Sequence, residues 1–227
     1  MDGTKIGTPV IGLNVKSYAE SAGRRGFELA KICEDVASKQ GVNIAICPQQ
    51  VELAKIASAV NIPCFAQHVD AIEPGSHTGF VTLESVREAG ATGTLVNHSE
   101  HRLRIADIEF IVRKSSSLNL LTIVCTNNIP VSRAVAELKP YAIAIEPPEL
   151  IGSGKAVSKV DPEIVANTVA EVKKLHKDCI VLCGAGVTNG EDVRRAIELG
   201  ADGVLLASGV VKAKDPKTAL LDLVTGL

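Results

Sequence analysis

The segment "YAIAIEPPELIGSGKAVSK" (141–159) places a carboxylate, Glu146, at the end of an apolar run, ahead of two prolines and a glycine-containing loop. Other apolar runs also close on reactive groups. One ends in Asn14-Val15-Lys16, and another, "LVNHSEHR" (95–102), ends in His98 with Ser99 and Glu100 beside it. A carboxylate, an imidazole and an ammonium form a set that acid–base chemistry can use. Two more runs close in small residues, Gly184-Ala185-Gly186 and Ala207-Ser208-Gly209, where backbone amides can approach an anion. Plain structural explanations exist for each group taken alone. A strand-end lysine is commonly solvated, Ser99 could cap a helix, Glu100 could favour a helix start, and glycines make turns. The coincidence of Lys16, His98 and Glu146 at the ends of separate runs favours the functional reading.

The rhythm of the chain supplies the elements that would position these groups. Eight runs rich in Val, Ile, Leu and Ala recur at 9–16, 43–48, 64–69, 92–98, 121–126, 141–147, 180–186 and 203–209. Near-continuous apolar content suits strands covered on both faces, as in a parallel sheet. Helical spacing fills the intervals, at 27–36, 51–59, 83–89, 101–117, 131–138, 162–175, 191–199 and 217–224. Asp161-Pro162 marks a helix start, and Gly90 and Gly200 mark two ends. Eight strand–helix units in 227 residues predict a (β/α)8 barrel, a single domain over 1–227. A doubly wound open sheet is the competitor, but the first turn, "LNVKSY", lacks GxGxxG. In a barrel the strand ends share one rim, so Asn14, Lys16, His98 and Glu146 would converge there. The seventh and eighth loops, with a short helix near 209–213, would take phosphate.

Composition narrows the function classes. With 46% hydrophobic and 22% charged residues and a net charge of −2, the chain reads as globular, without a basic footprint for nucleic acid. No apolar stretch is long enough to span a membrane and no signal peptide opens the chain, so a cytoplasmic location is expected. The six cysteines (33, 47, 64, 125, 179 and 183) sit mostly in apolar runs without a CxxC pair, as reduced core residues do. His68 and His77 are nine apart with no partner at ligand spacing, so no metal site is expected.

Six motifs then fall in order: LNVKSY (13–18), AQHVDAIEPGSHTG (66–79), GTLVNHSEHR (93–102), AIEPPELIGSG (144–154), LCGAGV (182–187) and GVLLASG (203–209). In these the chain resembles the triosephosphate isomerase family, specifically its archaeal branch, over essentially its whole length. The resemblance implies a TIM barrel with a shortened helical layer. It implies Glu146 as base, His98 as electrophile and Lys16 as the cation near the substrate oxygens, with Asn14 beside it. Backbone groups of Ile151, Gly152, Gly186, Ala207 and Ser208 would bind phosphate, and Glu100 would be the buried acid paired with Lys16. Bacterial and eukaryotic relatives carry a tryptophan where this chain has Pro147-Pro148-Glu149, Tyr-Gly-Gly-Ser where it has CGAG, and Gly-Gly where it has Ala207-Ser208. The phosphate-contacting serine of the seventh loop is therefore absent.

The reaction so implied interconverts dihydroxyacetone phosphate and glyceraldehyde 3-phosphate through an enediol-like intermediate, without cofactor or metal. Glu146 would shuttle a proton between adjacent carbons while neutral His98, its pKa lowered by amides of the following helix near 99–101, polarises the carbonyl. The loop after Glu146, stiff at the prolines and free at Gly152 and Gly154, would act as a lid. The 68–79 stretch resembles the family's subunit-contact loop, and the archaeal branch implies a homo-oligomer, a tetramer rather than a dimer. Two rivals stand beside this reading: another phosphate-binding barrel isomerase of amino-acid biosynthesis, and a catalytically silent barrel acting as a binding protein.

Overall fold

A computed structural model describes residues 5–147 and 156–227. Eight parallel strands form one sheet: β1 Val10–Asn14, β2 Asn43–Cys47, β3 Phe65–Ala66, β4 Gly93–Val96, β5 Leu121–Thr126, β6 Ala142–Ile145, β7 Ile180–Cys183 and β8 Gly203–Leu206. Their order is β2-β1-β8-β7-β6-β5-β4-β3. The edges β2 and β3 meet through the parallel bridge of Ile46 with Cys64, so the sheet curls into a nearly closed barrel. This is the (β/α)8 arrangement that the alternation of apolar runs and helical stretches predicts.

Helices cover the outside: α1 Arg24–Gln40, α2 Leu53–Ala57, α3 Leu83–Glu88, α4 Ile105–Ser117, α5 Ile129–Ala136, α6 Val157–Val160, α7 Pro162–Leu175, α8 Gly190–Glu198, α9 Ser208–Val211 and α10 Pro216–Val224. Side chains of Thr82, Asn128, Asp161, Asn189 and Asp215 cap α3, α5, α7, α8 and α10, each accepting from an amide in the first turn. Among the described residues, no helix is long and apolar enough to cross a membrane.

Strand alternation sorts the apolar side chains into two layers. Val10, Ala45, Cys47, Phe65, Leu95, Ile123, Cys125, Ala142, Ala144, Leu182 and Leu205 fill the barrel interior. Their strand neighbours, such as Ile11, Leu13, Val96, Val124, Ile143 and Val204, face the helices. A parallel sheet covered on both faces needs this near-continuous burial, and β1 is buried at all five positions.

Two elements depart from the sequence reading. The run at 64–69 contributes only two strand residues, because the Gln67 amide turns aside to donate to the Lys16 and Cys47 carbonyls, at 3.0 and 3.1 Å. The helix expected from 101 starts at Ile105, because Asn97 Oδ1 accepts from the Leu103 amide at 2.9 Å and holds the preceding residues as a loop.

Close packing at the sheet yields a stability prediction. A Cβ at Gly93 would collide with the Leu121 carbonyl oxygen and lie 2.7 Å from the Phe65 ring, both fixed parts of the barrel. Gly93→Ala is expected to lower unfolding free energy by about 1–3 kcal/mol. Equilibrium denaturation at matched protein concentration measures this, and an unchanged midpoint would contradict the packing.

Candidate active site

The strand ends deliver four side chains to the C-terminal mouth of the barrel. Asn14 follows Val10 and Gly12 on the inward face of β1, and Glu146 follows Ala142 and Ala144 on that of β6. Lys16 lies two residues past β1 with φ 49, its amide donating to Asn14 Oδ1 at 3.0 Å. His98 breaks the alternation. Leu95 faces inward and Val96 outward, so a continued strand would send His98 outward too. Asn97 adopts φ 60, however, and turns the chain so that His98 lines the same pocket as Asn14, Lys16 and Glu146. Asn97 is anchored by its Nδ2 on the Cys125 carbonyl at 2.9 Å, and its own carbonyl accepts from Arg102 at 2.9 Å.

Gly186, Ala207 and Ser208 line this pocket as well, together with Tyr18, Gly184 and Thr188. Gly186 has φ 71, a conformation that favours glycine, and Ser208 opens the short helix α9. Ile151 and Gly152, with the proposed lid, lie outside the described residues.

The pocket's electrostatics follow from burial. Glu146 is 1% exposed, and desolvation pushes its carboxyl up to about 7. The Cys125 thiol, the Ser99 amide and the charges of Lys16 and Arg102 oppose that rise without cancelling it. His98 moves the other way, down to about 4, chiefly through burial and then through the Lys16 ammonium. The Glu100 amide donates to His98 Nδ1 at 3.2 Å, so the neutral ring carries its proton on Nε2. Nε2 lies 3.5 Å from Glu146 Oε1, too far for a strong mutual bond and close enough for both to address one ligand atom group. Lys16 Nζ is 2.8 Å from Glu100 Oε1.

Two expectations and one plain alternative need correction. The amides around His98 do not belong to a helix start; 98–101 form a turn closed by the His101 amide on the His98 carbonyl at 2.8 Å. Ser99 does not take the plain capping role, since its hydroxyl has no hydrogen-bond partner among the described residues. Glu100 pairs with Lys16 but is not buried: 58% of its side chain is exposed, because it stands on the outer side of that turn.

Cys125, Arg102 and Tyr18 were not singled out for these roles by their sequence. Cys125 faces inward on β5 beside Glu146, yet in the sequence it is one more small residue of an apolar run. The Tyr18 ring carries Lys212 Nζ 4.3 Å from its centroid, which no spacing rule links. His101 stacks on His68 with ring centroids 3.8 Å apart. No group of three or more His, Cys, Asp or Glu among the described residues could hold a metal ion.

Comparison with known proteins bears on this geometry. The family model for triosephosphate isomerase matches residues 9–226. A triosephosphate isomerase of Methanocaldococcus jannaschii is 55% identical over 215 residues, covering 95% of this chain and 98% of the relative. That of Methanothermus fervidus is 54% identical over 217 residues, covering 96% and 98%. That of Methanothermobacter thermautotrophicus is 50% identical over 218 residues, covering 96% and 95%.

The opposed shifts of the two buried groups give a direct test. Nitrogen-15 NMR should find His98 neutral, protonated on Nε2 alone, until the pH approaches about 4. Carbon-13 NMR of the Glu146 carboxyl should show titration near 7. A doubly protonated His98 ring at pH 6 would contradict the arrangement.

Proposed function

The chain belongs to the triosephosphate isomerase family and interconverts dihydroxyacetone phosphate and D-glyceraldehyde 3-phosphate; we propose that Glu146, His98 and Lys16 carry this chemistry. The reaction is a step of glycolysis and gluconeogenesis. A C–H bond beside a carbonyl is a weak acid, so a base must be held against the carbon while the oxygen is stabilised as it gains charge. In this reading the Glu146 carboxylate takes the proton. The C–H electrons become the enediolate double bond and the carbonyl electrons move onto oxygen. The hydroxyl proton of the enediolate then passes to the neighbouring oxyanion, and Glu146 returns its proton to the adjacent carbon as the deprotonated oxygen becomes the new carbonyl.

His98 donates its Nε2 hydrogen bond to the developing oxyanion. A neutral imidazole suits this role, since its own proton is matched more closely to an enediolate than an imidazolium's would be. Lys16 supplies positive charge for the oxyanion and the phosphate dianion, and Asn14 fixes the Lys16 backbone. The amides of Gly186, Ala207 and Ser208, with those of Ile151 and Gly152, take the phosphate. The cycle is complete with these groups and the substrate.

The observation that carries the reading is a buried carboxylate with a raised pKa, 3.5 Å from a neutral, amide-oriented imidazole in one pocket. Glu146→Asp retracts the carboxylate by about 1 Å and should lower kcat on the order of 10²-fold with the fold intact. Coupled turnover of glyceraldehyde 3-phosphate measures it, and near-wild-type kcat would remove Glu146 from the role of base.

We further propose that the protein works in the cytoplasm as a homotetramer. Val51 and Phe80, on the segments after β2 and β3, are apolar side chains 90% and 55% exposed, which a partner subunit would cover. Buried Lys114 ties Glu73 of the second loop to Glu84 of α3, with contacts of 2.5 and 2.8 Å, so the loop is held ready for a partner. Light scattering should give four times the 23.8 kDa chain mass, and twice that mass would favour a dimer.

A further inference from the structure

At the opposite, N-terminal mouth of the barrel, a second cavity of about 560 Å3 opens at the starts of β5, β6 and β7. Small-molecule sites commonly occupy roughly 300–1,000 Å3. Ile6, Val112, Leu120 and Ile180 give it an apolar floor, while Lys5, Lys139, Lys173 and Lys177 stand around it. Among the described residues, the carboxylates in its wall are Asp178 and Asp202. Asp202 is already committed, its Oδ2 accepting from Lys173 Nζ and from the Val181 amide, both at 2.8 Å. Lys5, Lys139 and Lys177 have no ion pair among the described residues, which leaves three ammonium groups facing one free carboxylate, Asp178.

Like charges brought together over an apolar floor repel, and the field they focus into the concavity favours an anion there. The wall is also set in place. Lys139 adopts φ 56, costly for a residue with a Cβ, which fixes the direction in which its side chain leaves the backbone. His176 Nε2 lies 3.2 Å from the Pro140 carbonyl, and the Tyr141 hydroxyl accepts from the Ile6 amide at 2.8 Å.

We propose that this cavity is a second ligand site for a phosphorylated organic molecule bearing at least two negative charges. Its phosphates meet Lys5, Lys139 and Lys177, and its organic part lies on the apolar floor. The site is on the far side of the barrel from the reacting groups, so its occupant and a triose phosphate bind together.

Nitrogen-15 NMR titration of the intact protein tests this with two probes, inorganic pyrophosphate and ADP. Both should move the amides of Lys139, Tyr141 and Lys177, separately from any movement at Gly186 and Ser208 on the active-site side. Adding salt should weaken the first set of shifts. Removing two of the facing charges in Lys139→Ala/Lys177→Ala should raise Kd for that set about tenfold or more. The same variant should leave the Gly186 and Ser208 shifts and the isomerase kcat/KM unchanged. Pyrophosphate and ADP shifts confined to Gly186 and Ser208, or an unaltered Kd in the double variant, would overturn the site. ADP binding no tighter than pyrophosphate would overturn the part assigned to the apolar floor.

Discussion

The Glu146 carboxylate ends β6 with 1% of its surface exposed, and its neighbours are arranged around a group that water would solvate far better. Gly184 faces it across the β6–β7 pairing. A Cβ there would lie 2.6 Å from Glu146 Cγ, so only glycine lets the carboxylate tuck against β7. On the other side, Cys125 of β5 offers a thiol, a weak donor that steadies the anion without neutralising it. Lys16 and Arg102 add positive charge at longer range. The result is a carboxyl poised near neutrality, not a tightly paired ion.

The same burial dictates the state of His98. An imidazolium beside a buried carboxylate would form an ion pair and hold that carboxylate in its charged form. Three features prevent this: desolvation, the Lys16 ammonium nearby, and the Glu100 amide that occupies Nδ1. Glu100 therefore acts twice, by its amide on His98 and by its carboxylate on Lys16. The exposed carboxylate lies 3.5 Å from His98 Nδ1 and would favour protonation. Burial is the larger influence on the ring, and the amide already holds Nδ1 as an acceptor.

Asn14, Lys16, His98 and Glu146 were legible in the sequence because each closes, or nearly closes, an apolar run, and a barrel brings such positions to one rim. The alternation of runs also carried the fold, since strands covered on both faces leave an unbroken apolar record. What the sequence hid depends on single backbone turns and on through-space partners. The left-handed conformation at Asn97 both delivers His98 to the pocket and delays α4 to Ile105, yet in the sequence Asn97 simply ends a run. Cys125 and Gly184 act on Glu146 only because β5 and β7 flank β6, a pairing that no local pattern encodes. Lys139 and Lys177 read as ordinary solvated charges until the starts of β6 and β7 place them around one cavity.

The active site also sets an energetic conflict that the barrel must absorb. Glu146 has a folded pKa near 7, above its usual 4.5, so the folded state binds its proton more tightly than the unfolded state does. Its contribution is fully present below pH 4.5 and is lost as pH rises through about 7, a span worth about 3 kcal/mol. His98, depressed from 6.5 to about 4, works in the opposite sense: stability is lost as pH falls from 6.5 toward 4. No pH satisfies both groups. Near neutrality the neutral ring is favourable and the carboxylate ionises against its surroundings. A loss of that size is a large share of the roughly 5–15 kcal/mol that holds a domain together. The two apolar layers of the barrel, inside and outside the sheet, must therefore supply enough burial for the fold to tolerate this carboxylate.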